Sequence, residues 1–165
     1  MEIVQGYRPG WLSGLIRLHM DYYGREWGFG AGFEALIGKE AGAFLDRYDE
    51  RRDLMLTVWK GRTIRGSLVI DGGKPLRGHL RWFMVDKTLR GQGVGTELMD
   101  RAMGFVDQHG LVNTYLTTFT GLDAAAALYR KHGFVCVSSP PDDRWQGGVR
   151  EEMWERPRLR RAQAS

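Results

Sequence analysis

Between residues 85 and 99 the chain reads VDKTLRGQGVGTELM, with Gly91, Gly93 and Gly95 spaced two apart after an arginine. The run before it, HLRWFMVD, is rich in aromatic and β-branched residues and reads as a strand. The run after it is helical: Val94, Leu98, Ala102, Phe105 and Val106 fall on one face, and His109-Gly110 suits its end. A strand that passes through glycines into a helix aims several backbone N–H groups at the helix N-terminus, where the helix dipole also favours negative charge. Glycine lets that backbone come close to an anion. The stretch therefore predicts a phosphate cradle. Because a strand-like NTYLTTFT follows, the helix is a crossover, and the strands at 79–86 and 113–119 are expected side by side in parallel.

The remaining elements fall around this unit. MEIVQGY reads as a first strand, and Trp11, Leu12, Leu15, Ile16 and Leu18 as a first helix opened by Pro9-Gly10. The glycine-rich GREWGFGAGF leads to a second helix over about Phe33 to Tyr48. DLMLTVWK and TIRGSLVI form a hairpin about Gly61-Arg62, and DGGKPLRG is a turn before the next antiparallel strand. LDAAAALYRKHGF is a helix stopped by Gly133, and FVCVSS with roughly GVREEMWE completes the sheet. The expected order is β-α-α-β-β-β-α-β-α-β-β, an α/β (α+β) arrangement with a mixed, mostly antiparallel sheet of about six or seven strands and about four helices.

With 165 residues the chain suits one domain, expected over 1–155, followed by a basic, flexible tail at 156–165. The net charge of +4 comes from that tail, whose arginines are Arg156, Arg158, Arg160 and Arg161; the rest balances 20 basic against 20 acidic residues. Specific nucleic-acid binding is accordingly not expected. No apolar run approaches the roughly 18 to 20 residues that span a bilayer, and no leader pattern opens the chain, so neither membrane insertion nor export is expected. The single cysteine, Cys136, lies in an alternating strand pattern; it excludes an internal disulfide, reads as a packed core thiol, and fits a reducing cytoplasm.

Spacing narrows the anion. A nucleotide P-loop needs lysine directly after its last glycine, and none is present; a dinucleotide fingerprint needs a third glycine where Thr96 stands, and an acid ending the next strand, which TYLTTFT lacks. The spacing that fits is Arg90-x-x-Gly93-x-Gly95, followed downstream by ALYRKHGF.

These two stretches resemble the Q/R-x-x-G-x-G/A and A-x-x-x-Y-x-x-x-G-F signatures of the GCN5-related N-acetyltransferase (GNAT) superfamily, with Tyr129 and Gly133-Phe134 in the matching places. The resemblance covers about residues 1 to 155. It is nearest to the acetyltransferase modules found fused to MarR-type regulators, which share the REWGF loop and a closing W-E strand. The pattern starts at Met1, so the catalytic module alone is expected. Lys87 departs from a common proline, and Phe119 from a common asparagine that touches the cofactor arm.

The resemblance implies the GNAT fold, acetyl-CoA as donor and no metal. It assigns Arg90, Gly91, Gln92, Gly93, Val94, Gly95 and Thr96 to the pyrophosphate, mainly through backbone N–H groups. Phe83, Met84 and Val85 would flank the pantetheine arm, as would Phe119 and Tyr129. Tyr129 would also act as general acid toward the sulfur, with an oxyanion donor among the backbone N–H groups near Val85. For the base, His79 and Glu26 are the candidates, with a water chain as a third course; a neutral imidazole could accept an ammonium proton. Trp27, Phe29 and Phe33 would line the acceptor side. His19, His109 and His132 have no partners at metal-ligand spacing. The implied activity is N-acetylation of a primary amine of a small molecule or protein by direct attack in a ternary complex. The alternative is a non-catalytic acyl-CoA-binding regulatory module. The resemblance also allows a homodimer.

Overall fold

The computed structural model describes residues 1–139 and 150–158. Its elements run β1 (Glu2–Gln5), α1 (Trp11–Glu26), α2 (Ala31–Asp46), β2 (Leu54–Lys60), β3 (Thr63–Lys74), β4 (Arg77–Val85), α3 (Val94–Gln108), β5 (Asn113–Phe119), α4 (Asp123–Lys131), β6 (Val135–Ser138) and β7 (Glu151–Pro157). They form one seven-stranded sheet in the order β1-β2-β3-β4-β5-β7-β6, in which β4 and β5 are parallel and the other neighbours antiparallel. No described helix is long and apolar enough to cross a membrane.

Alternation along β2 builds a core on each face. Leu54, Leu56 and Val58 join Leu98, Met99 and Ala102 of α3, while Met55 and Trp59 join Trp11 and Leu15 of α1 and Phe44 of α2. Truncating a fully buried leucine such as Leu98 would cost roughly 2–5 kcal/mol. Gly14 sets how closely α1 can approach the sheet, because a Cβ there would lie 2.7 Å from Ile64 Cδ1.

Two features of β4 shape the middle of the sheet. First, β4 and β5 pair only over Arg77–Asn113, Gly78–Thr114 and His79–Tyr115; beyond these, β4 keeps β3 and β5 keeps β7. The two strands therefore splay toward their C-terminal ends. Second, β4 carries one extra residue against β3: Val69 faces Arg81 but Ser67 faces Met84. This bulge coincides with a positive φ of 49° at Trp82, a conformation that costs a non-glycine residue roughly 1–2 kcal/mol. Ser67 Oγ donates to the Trp82 carbonyl and helps to hold it. As a result Leu80 and Phe83 pack on the α3 side, whereas Trp82 and Met84 pack on the α1 and α2 side.

Several sequence expectations shift. The glycine-rich connection shrinks to 27–30, because α1 runs on through Glu26 and α2 begins at Ala31. The turn DGGKPLRG contracts because β3 continues to Lys74, with the Asp71 carboxylate accepting from Gly73 N. Cys136 is exposed rather than packed, since β6 is an edge strand paired only with β7. β7 includes Arg156 and Pro157, and Arg156 Nε donates to the His132 carbonyl. The part of GVREEMWE before residue 150 and the tail from 159 lie outside the described residues.

Candidate active site

The glycine loop does lead from β4 into α3. Asp86 caps a 3-10 turn over Lys87–Leu89 by accepting from Thr88 N, and buried Leu89 anchors it. Gly91 and Gly93 then take left-handed φ values of 75° and 76°, and Gly93 is the N-cap of α3. Glu97 N closes the first turn onto the Gly93 carbonyl, leaving the N–H groups of Val94, Gly95 and Thr96 without acceptors four residues back in the helix.

The three glycines are needed for different reasons. A Cβ at Gly91 or Gly93 would meet open space, so conformation is the constraint there. At Gly95 it would lie 3.1 Å from Leu128 Cδ1 and 3.6 Å from Phe83, so space is the constraint. The loop, the end of β4 and the start of α4 enclose a cavity of about 540 Å³. Phe83, Met84, Val85, Arg90, Gly91, Gly93, Val94, Gly95 and Thr96 all line it. Gln92 does not: its side chain is exposed and donates to the Thr88 carbonyl. The groove fits an extended anionic cofactor, with donors at the α3 N-terminus, the Arg90 guanidinium over the Tyr22 ring, and an apolar β4 edge.

A second cavity, of about 400 Å³, lies on the α1 and α2 side where β4 and β5 part. Tyr23, Phe33, His79, Arg81, Thr118 and Tyr129 line it, and it shares Phe83, Leu122 and Ala125 with the first. The splay thus joins the two cavities through the sheet.

Tyr129 stands at this junction, 4% exposed, with its ring against Phe83, Phe134 and Trp154 and its hydroxyl hydrogen-bonded with Thr118. Burial raises its phenol well above the ordinary value, so it keeps its proton at neutral pH.

The two base candidates fare differently. His79 lines the second cavity and stacks on Tyr115 with ring centroids 4.3 Å apart, inside β4 rather than at a strand end. Burial, then the charge of Arg81, pushes it down to about 3, with Lys74 and Arg77 adding to the effect against Asp71. It is neutral at pH 7 and a weak base. Glu26 lies at the exposed end of α1, lines neither cavity, and is ion-paired with Lys87, which lowers its pKa.

Phe119 also departs from its expected place on the cofactor arm. It lines the second cavity and packs against Tyr23, Trp27 and Phe29, with centroids 5.5 to 5.7 Å away. The irregular β4 backbone lies at Trp82, not near Val85, which stays in register with Gly66.

Sequence reasoning missed Tyr23, Thr118 and His19. His19 and Tyr23 could have been found by extending the Leu15 face of α1 by four and eight residues. Thr118 reaches its place only because β5 splays. His19 lines the second cavity, and its Nδ1–H donates to the Leu15 carbonyl at 2.8 Å, which leaves Nε2 as the acceptor nitrogen. Burial pushes it down to about 4.

The family model described as Acetyltransferase (GNAT) family matches residues 12–134. Among solved structures, a ribosomal-protein-alanine N-acetyltransferase from Brucella melitensis superposes with a TM-score of 0.73 at 14% identity, covering 96% of this chain and 100% of that one. A GNAT-family acetyltransferase from Staphylococcus aureus gives 0.72 at 16% identity, with 94% and 99% covered. A putative streptothricin acetyltransferase from Bacillus anthracis, solved with acetyl coenzyme A, gives 0.58 at 19% identity, with 70% and 68% covered. At these identities the likeness is one of fold. No curated protein matches the sequence.

Proposed function

The chain belongs to the acetyltransferase (GNAT) family, and on that premise we propose that it moves an acetyl group from acetyl-CoA to a primary amine by direct attack in a ternary complex. The observation that carries this reading is the pair of cavities joined at Phe83, Leu122 and Ala125, one ringed by helix N–H groups and the other by aromatic and polar side chains. Two reactants entering from opposite sides of the sheet would meet beside Tyr129.

In this reading Arg90, Gly91, Gly93, Val94, Gly95 and Thr96 hold the pyrophosphate, with Gln92 contributing only backbone, and Phe83, Met84 and Val85 flank the arm. Acetyl-CoA would supply the activated thioester. Tyr129 holds a proton for the departing sulfur, and Thr118 orients the phenol. The Trp82 bulge interrupts the β4 ladder beside the gap, and a backbone N–H released there would stabilise developing negative charge. The amine must arrive neutral or lose its proton inside the second cavity. His19 Nε2 is the acceptor we assign ahead of His79, because its tautomer is fixed by Leu15 and it carries less nearby positive charge. Tyr23, Phe33 and Phe119 wall the acceptor side.

The same reading includes a single catalytic domain over 1–155, kinship with modules fused to MarR-type regulators, a cytoplasmic setting, a homodimer and no metal. The test is CoA release from acetyl-CoA across a panel of primary amines, alongside calorimetric titration of CoA. The reading predicts micromolar-range CoA binding and amine-dependent release. Binding without release from any amine would favour a non-catalytic acyl-CoA-binding regulatory module; no binding would overturn both.

A further inference from the structure

A third cavity, of about 520 Å³, opens on the same sheet face at the β3–β4 hairpin. It shares His79 and Arg81 with the acceptor cavity, so the two form one groove along β4 and β5. Five cations line its far end, Arg47, Arg52, Lys74, Arg77 and Arg81, with Asp71 the carboxylate among them.

Most of these charges are already committed. Arg47 grips Asp71 with two bonds of 2.9 and 2.6 Å, and Arg81 bridges Asp71 and Glu40 at 3.3 and 3.0 Å. Arg52 serves the Arg47 carbonyl and Asp53. The other two cations share the Tyr115 ring. Lys74 has no carboxylate partner among the described residues and leans over the Tyr115 ring at 5.5 Å. Arg77 Cζ lies 4.0 Å from the centroid of the same ring, and its guanidinium makes one long bond of 3.4 Å to Glu155, which leaves its other donors for a ligand. One aromatic floor thus carries two cations at the groove's end, and their charges add to burial and Arg81 in disfavouring protonation of His79.

We propose that Lys74 and Arg77 form an oxyanion subsite of the acceptor groove, so that the acceptor is a primary amine bearing a carboxylate or phosphate about 10 Å from its nitrogen. The spacing follows from β5: Tyr115, the floor of the subsite, and Thr118, beside the Tyr129 hydroxyl, are three residues apart at about 3.3 Å each. An α-amino acid is too short to reach both ends, whereas a short peptide or a long ω-amino acid is not. The proposal rests on the acetyltransferase reading for which end receives the acetyl group.

The test uses the full chain saturated with CoA and calorimetric titration of 8-aminooctanoate, 8-aminooctyl phosphate, 8-aminooctan-1-ol and β-alanine. At least one long oxyanion should bind about tenfold tighter than the alcohol, with the advantage shrinking in salt. The carboxylate and phosphate arms decide which oxyanion is preferred. Lys74→Gln, at the exposed end of β3, and Arg77→Gln should each erase most of that advantage while leaving the alcohol's affinity unchanged. Equal binding of alcohol and oxyanions, β-alanine binding as tightly as the long chain, or variants that weaken every ligand alike would overturn the subsite. Failure of the enzymatic reading looks different: the oxyanion preference persists, but acetyl-CoA releases no CoA with the amine that binds.

Discussion

The cavity at the β4–α3 junction and the cavity beneath α1 and α2 meet at Phe83, yet they are built on different terms. Most of the first comes from one continuous stretch, Phe83 to Thr96, and its chemistry resides in backbone N–H groups, with Gly91 and Gly93 in left-handed conformations. The second collects side chains from α1, α2, β4, β5 and α4, and depends on a strand splay and a bulge. A backbone site needs little beyond correct local geometry. A side-chain site exists only once distant elements have packed.

This contrast can be broken by substitution. The largest effect is expected at the junction: Tyr129→Phe should lower kcat roughly 100-fold by removing the proton donor, with the KM for acetyl-CoA unchanged. A kcat within about threefold of the parent would remove Tyr129 from the chemistry.

Acid should weaken the acceptor side first, because both of its imidazoles are held neutral by burial while the cradle is lined by none. His19 sits near 4 when folded against an ordinary 6.5, so the unfolded chain binds the extra proton between those values. Stability is therefore full above pH 6.5 and declines as pH falls toward 4. Urea titrations should show a loss of about 2 kcal/mol between pH 7 and 5, with His79 adding in the same direction. A flat profile, or one unchanged by His19→Gln, would contradict the buried neutral imidazole.

On the cradle side, Gly93→Val forces a β-branched residue into φ 76°, at a cost of about 1–2 kcal/mol. CoA affinity should fall about tenfold, while a amine-site ligand bound without CoA is unaffected; an unchanged CoA Kd would show that the left-handed cap is dispensable. The smallest effect belongs to Glu26. Glu26→Gln should leave kcat/KM within about twofold, since an exposed pair with Lys87 is all that is lost. A drop beyond tenfold, with a changed acid limb of the pH profile, would restore Glu26 as a base.

Much of the fold was legible because its signals are local. Helical spacing from Val94 to Val106, the two-residue hairpin at Gly61-Arg62, and the glycine stops at 110 and 133 each follow from neighbouring residues. The same holds for the cradle, where nine of the ten expected loop and flanking residues line the cavity and Gln92 alone turns its side chain away. What failed was nonlocal. Cys136 alternates as a core strand would, but its strand became an edge. Phe119 sits at the expected strand end, yet Tyr23, Trp27 and Phe29 draw it into their cluster. Trp82 gives no hint of a positive φ, because side-chain identity says little about a bulge fixed by Ser67 across the hairpin.

By itself, then, VDKTLRGQGVGTELM determined an anion-binding turn between a strand and a helix, since glycine conformation and helix N-termini are properties of a few consecutive residues. Only the tertiary structure decided what faces that turn. The splay of β4 from β5 opened a path through the sheet, and the packing of α1 and α2 brought His19, Tyr23 and Phe33 to its far side. Those neighbours are set by long-range burial, which no short stretch of sequence encodes.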